Sequence, residues 1–182
     1  MTRSPDLPPW LNSVARPATL ALTGLRKLVD LMAGLLFIYM ALAIMAQILG
    51  RYVFGYSIAG TDETAVFAQV WLVLLGAGIA MRNRQHVGVD VLIRRTPERV
   101  QQLARLASYA LGMWFLYVVF VGSFALLGIG MMVQSPALRL PMAIPYAALP
   151  VGMAYFMLEF SVASLPDILR PAQARANAAA LT

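Results

Sequence analysis

Residues 106–133 read LASYALGMWFLYVVFVGSFALLGIGMMV, without one charged side chain. A helix of that length extends about 42 Å, and the hydrocarbon core of a bilayer is about 30 Å thick. In lipid every backbone N–H and C=O must be satisfied inside the segment, so the stretch predicts a membrane-spanning helix that tilts or protrudes. Working outward, uncharged runs also cover residues 31–49 and 64–81, and a fourth run over 145–165 carries one acid, Glu159. Spans are therefore expected at 28–49, 63–81, 106–133 and 145–165, which leave no room for a soluble domain in 182 residues.

The expected fold is an all-α integral membrane protein: one four-helix domain over 1–182, with residues 1–25 and 171–182 as flexible tails. Composition agrees. The chain is 60% hydrophobic and 12% charged, whereas soluble domains average about 45–50% and about 25%. Disorder, fibrous architecture and most soluble enzymes are excluded on that ground. Cysteine is absent, which removes disulfides, thiolate metal sites and cysteine nucleophiles. Prolines punctuate the loop after the third run (Pro136, Pro141, Pro145), and Pro166 and Pro171 mark the expected end of the fourth. Ala41-Leu42-Ala43 matches a small-residue cleavage pattern. The long preceding tail and the length of the apolar run favour a retained first helix.

The net charge of +6 has a topological explanation. Twelve of the fourteen basic residues precede the first span, lie between the second and third, or follow the fourth. Only Arg51 and Arg139 fall on the other side. The positive-inside rule then places both termini and the central loop in the cytoplasm, facing anionic lipid. Nucleic-acid binding is not needed to explain the charge. Within the central loop, the apolar patch 87–93 between arginine clusters reads as a short interfacial helix, with Arg94 and Arg95 toward the head groups.

Few residues offer chemistry. Asp62 and Glu63 open the second span, where acids complement the helix dipole; Thr61 is a candidate cap. Arg51 lies across the same outer loop and is a candidate partner for them. Glu159 is an intramembrane carboxylate, a functional candidate by default. Its depth places it near the cytoplasmic interface, where Arg82, Arg84 or Arg105 are the expected partners. His86 and Asp90, four apart, make a poor metal site without a third ligand. Gly76, Gly78, Ala80, Gly112, Gly122, Gly128 and Gly130 permit close helix approach, within the chain or against another membrane protein. Neither a serine–histidine–acid set nor a phosphate loop can be assembled.

The order of the motifs is more telling than any one of them. Arg51-Tyr52-Val53-Phe54-Gly55-Tyr56-Ser57 is followed by Asp62-Glu63, then Trp71-Leu72-Val73-Leu74-Leu75-Gly76-Ala77. Next come Arg82-Asn83-Arg84-Gln85-His86-Val87-Gly88-Val89-Asp90, and later Pro145-Tyr146 and Leu149-Pro150-Val151-Gly152. Over residues 28–165 this set resembles the DctQ-type small membrane subunit of tripartite ATP-independent periplasmic (TRAP) transporters. Two departures stand out: Gly60 sits near the place of a tryptophan frequent in that family, and Asp62 replaces a common glutamate.

The resemblance implies a bacterial or archaeal cytoplasmic-membrane protein that is not an enzyme and holds no cofactor. It implies a large multispanning partner that carries the transport and sodium sites, and a periplasmic binding protein that delivers a small organic acid. The outer loops 51–61 and 134–146 are the expected docking region. Arg51, Tyr52, Phe54, Ser57, Asp62, Glu63, Trp71, Arg139, Pro145, Tyr146 and Pro150 are its candidate residues. Arg82, Arg84, His86 and Asp90 form a motif at the cytoplasmic interface. Two other classes remain open at this point. A haem-bearing respiratory anchor usually needs intramembrane histidines, and the one histidine lies in a loop. A self-contained exporter would use Glu159 as its coupling acid.

Overall fold

A computed structural model describes residues 9–56, 60–83 and 98–169. The helices in chain order are α1 (Pro9–Tyr52), α2 (Thr61–Arg82), α3 (Glu98–Met132), a one-turn α4 (Ala143–Tyr146) and α5 (Ala148–Leu169). Four segments are long and apolar enough to cross a membrane: Thr19–Tyr52, Thr61–Arg82, Val100–Met132 and Ala143–Ser164. Each contains most of one expected span.

The boundaries differ instructively. α1 continues N-terminally to Pro9, through residues read as tail, and passes Pro17. A proline removes one helical hydrogen bond but leaves the rest of a long helix to hold it. α3 begins eight residues before its expected start, because the polar turns preceding Leu106 are helical as well. α5 runs through Pro166 to Leu169. Thr61 does not cap α2: Gly60 occupies the N-cap position in a left-handed conformation, φ 86°, without a side-chain cap. The stretch 84–97 lies outside the described residues, and with it the expected interfacial helix.

The α4–α5 junction has a local cause. Pro150 has no N–H for the Tyr146 carbonyl, and its ring crowds that carbonyl. The helix accordingly breaks between Tyr146 and Ala148, while Ala147 N–H still bonds Ala143 O at 2.8 Å.

The helices pack as an open row in the order α1, α2, α5, α3, and among the described residues no extensive contact joins α1 to α3. Small residues set the spacing of the central pair. A Cβ at Gly78 would collide with the Tyr155 ring, and one at Gly152 would lie 2.7 Å from Leu74 Cβ. α3 approaches through Gly112, under Phe160, and Gly130, under Tyr146 and Ala143. Gly76, Gly122 and Gly128 face open space instead. Val29, Leu75 and Tyr155 form a buried cluster where α1, α2 and α5 meet, with Leu36, Trp71 and Ile79 against it. The outward faces of α1 and α3 are strongly apolar, from Leu28, Leu35 and Phe37 to Leu111, Trp114 and Phe115.

Candidate functional site

Polar side chains gather at the two ends of the row. At the end carrying the α1 and α3 N-termini, the Arg26 guanidinium grips Glu159 with two parallel bonds, Nε to Oε1 at 2.7 Å and Nη2 to Oε2 at 2.6 Å. Glu159 is fully buried, whereas the Arg26 side chain is 28% exposed. Such a fork satisfies both carboxylate oxygens, which is the condition for burying the charge. Arg82, in the last turn of α2, bonds both oxygens of Asp30, at 2.9 and 3.2 Å. Arg26 and Asp30 are one turn apart on α1, so the helix is fastened to α5 and to α2 from adjacent positions.

One expectation changes here. The partner of Glu159 is Arg26, not Arg82, Arg84 or Arg105. Arg82 is taken by Asp30, Arg105 bonds Gln101 Oε1 at 3.4 Å within its own helix, and Arg84 lies outside the described residues. His86 and Asp90 also lie outside them.

At the opposite end, residues 133–142 form a small hairpin between α3 and α4. Met142 N–H bonds Val133 O at 2.9 Å, Ser135 N–H bonds Leu140 O at 2.8 Å, and Arg139 N–H bonds Ser135 O at 3.1 Å. Gln134 and Pro141 make an isolated bridge. Arg139, at the tip, is exposed and has φ 52°, a conformation uncommon for any residue but glycine. Glu63 reaches across from the first turn of α2. Its Oε1 accepts the Ala137 N–H at 2.8 Å and its Oε2 accepts the Leu138 N–H at 3.1 Å. Leu138 then covers Gly60, where a Cβ would come within 2.5 Å of Leu138 Cδ2. Leu138 thus fills the space a side chain at position 60 would need.

Asp62 accepts a bond from the Gln47 amide at 3.2 Å. The adjacent acids are therefore engaged by Gln47 and by loop backbone, not by Arg51, which is exposed at the last turn of α1. Trp71 is half-buried and donates its indole N–H to Ile144 O at 3.2 Å, stapling α2 to α4. Pro145 and Pro150 are buried and Tyr146 is half-buried, packed over Gly130. Tyr52 and Phe54 are exposed at the C-terminal end of α1, Phe54 at 69%. Ser57 lies outside the described residues.

Arg26, Asp30 and the hairpin brace had escaped sequence reasoning. Arg26 stands out in the sequence only as one of the basic residues before the first span, Asp30 sits one residue before the first uncharged run, and backbone N–H donors leave no mark in composition. An acid at a fixed offset from a span entrance was the one available signal for Glu63.

Comparison with known proteins gives a consistent picture. The sequence profile of the family described as "Tripartite ATP-independent periplasmic transporters, DctQ component" matches residues 40–170. The C4-dicarboxylate TRAP transporter small permease protein DctQ of Vibrio cholerae is 32% identical, over 66% of this chain and 62% of that one. A putative TRAP transporter small permease protein of Haemophilus influenzae is 26% identical, over 72% and 76%. The isethionate TRAP transporter permease protein DctMQ of Oleidesulfovibrio alaskensis is 32% identical over 67% of this chain but only 20% of its own length. The match thus spans less than two thirds of the Vibrio relative and a small fraction of the isethionate one.

Proposed function

The chain belongs to the DctQ-component family of TRAP transporters, and from that premise we propose that it scaffolds a large transport subunit in the bacterial inner membrane. It is a transporter subunit, not an enzyme. The observation that carries the scaffold role is the pairing of open apolar flanks with closed polar contacts. α1 and α3 present long lipid-compatible faces, while Glu159 and Asp30 are neutralised within the chain. A helix row of this kind adds static surface to a neighbour without offering a pathway of its own. Sodium coupling and solute binding are assigned to the large subunit, and the solute to the class of small organic anions.

In this reading the Arg26 end is cytoplasmic, next to anionic lipid, and the hairpin end faces the binding protein. Arg139, Arg51 and the exposed Phe54 are its docking surface. The twelve-to-two distribution of basic residues supports that orientation. A self-contained exporter is disfavoured, because a coupling acid needs access to a proton and Glu159 is fully buried in a guanidinium fork.

Co-purification tests the scaffold role. A tagged copy expressed with a multispanning TRAP subunit should bring it down in equal amount from solubilised membranes. A transport-competent homo-oligomer lacking that subunit would overturn the proposal. The natural absence of cysteine makes orientation directly measurable. A cysteine at position 137 should react with an impermeant maleimide in intact cells, and one at position 175 only after lysis.

A further inference from the structure

We infer that Glu63 is a positioning residue for the docking of the soluble binding protein, holding the hairpin 133–142 in one conformation from below; this rests on the docking role proposed above. Four observations converge on it. First, Glu63 is the acid at the start of α2 whose two oxygens both go to backbone N–H groups of another segment, Ala137 and Leu138. Second, those two residues immediately precede Arg139, the tip residue held at φ 52°. Third, the side chain of Leu138 closes over Gly60, itself at φ 86°, so the brace and the lid share one residue. Fourth, the tip is exposed and cationic, while Ser135, whose carbonyl accepts the Arg139 N–H, is buried.

The physics follows from loop entropy. A ten-residue connection on a bilayer surface samples many conformations unless its backbone donors are satisfied in place. The internal bonds of the hairpin fix its shape, and the Glu63 carboxylate hydrogen-bonds its outer turn to the first turn of a membrane helix. A carboxylate accepting two backbone N–H groups is a charge-assisted arrangement, stronger than neutral hydrogen bonds. It stores the non-glycine left-handed residue at the tip, which an unbraced loop would relax. A preordered tip removes the ordering cost that would otherwise fall on the encounter with a soluble partner. Glu63 acts through the loop and touches neither solute nor partner.

The test uses the complete transporter reconstituted in liposomes, with uptake measured against the concentration of loaded binding protein. Glu63→Ala should raise the half-saturating concentration about tenfold and leave the maximal rate close to that of the parent. Glu63→Gln, whose amide oxygen accepts one of the two N–H groups, should fall between. Amide hydrogen exchange in the assembled complex supplies a readout independent of transport: Ala137 and Leu138 should exchange faster in Glu63→Ala. Unchanged exchange would overturn the brace. Faster exchange with an unmoved half-saturating concentration would overturn the positioning role. Arg139→Glu separates this inference from its premise. If that variant raises the half-saturating concentration and Glu63→Ala does not, the premise stands and the inference fails. If neither does, docking at this hairpin fails as well.

Discussion

Arg26 and Glu159 are 133 residues apart in the chain and share two hydrogen bonds, at 2.7 and 2.6 Å, across the α1–α5 contact. Removing one partner of a buried pair leaves an uncompensated charge, at a cost of about 3–5 kcal/mol. Arg26→Met should therefore lower the thermal stability of the subunit in detergent sharply. Glu159→Gln should cost less, because the partly exposed guanidinium can turn to water and the amide oxygen still accepts one bond. The double variant Arg26→Met/Glu159→Met should recover most of the loss, since a packed apolar pair avoids desolvation altogether. A thermal unfolding series measures all three. Additive losses in the double variant would show that the two side chains do not act as a pair.

The neighbouring pair behaves differently for a physical reason. Asp30 is 46% exposed and Arg82 20% exposed, so water competes for both. Exposed pairs contribute about 0–1 kcal/mol. Asp30→Asn should thus change the unfolding temperature little, and raising salt should shrink the difference further. A loss as large as that of Arg26→Met would mean that the Asp30–Arg82 pair is shielded from water in the isolated subunit.

The contrast between these pairs also explains what sequence reasoning could reach. Uncharged runs announced all four spans, because lipid admits no unpaired backbone and the composition has to say so. Glu159 was visible as an anomaly within such a run, but its partner was not. Arg26 lies before the first uncharged run, and nothing local reveals that α1 continues as helix far beyond the bilayer thickness. Arg82 and Arg105 lie nearer along the span ends, yet helix rotation, not depth alone, decides which guanidinium faces α5. Gly78 and Gly122 were equivalent in the sequence for the same reason. The hairpin brace was hidden because half of it is main chain: Glu63 could be located, but Ala137 and Leu138 offer only N–H groups that every residue type shares.

Gly60 supplies a prediction about that brace. Its φ of 86° disfavours any side chain, and a Cβ would come within 2.5 Å of Leu138 Cδ2. Gly60→Ala should cost about 1–3 kcal/mol from backbone strain and overpacking together. Adding Leu138→Ala should remove the steric part only, leaving the roughly 1–2 kcal/mol of left-handed strain. Limited proteolysis at the hairpin and thermal unfolding report the two parts separately. Full recovery in the double variant would mean that the backbone at position 60 relaxes without cost.

Gly78 and Gly122 should respond in opposite ways to one substitution. At Gly78 a side chain would run into the Tyr155 ring in the α2–α5 contact, whereas nothing lies within 4 Å of a Cβ at Gly122. In Gly78→Leu, Tyr155 has to leave the cluster it forms with Val29 and Leu75, so separation of α2 from α5 follows. Overpacking of that kind costs about 1–3 kcal/mol, and here it falls on the central pair of the row, to which both flanking helices are attached. In Gly122→Leu the added side chain meets only lipid or detergent, and replacing glycine within a helix gains about 0.5–1 kcal/mol. Unfolding of the purified subunit should therefore show a clear loss for the first variant and no loss for the second. A loss at Gly122 in the isolated subunit would mean that α3 packs on α1 in solution, closing the row into a bundle.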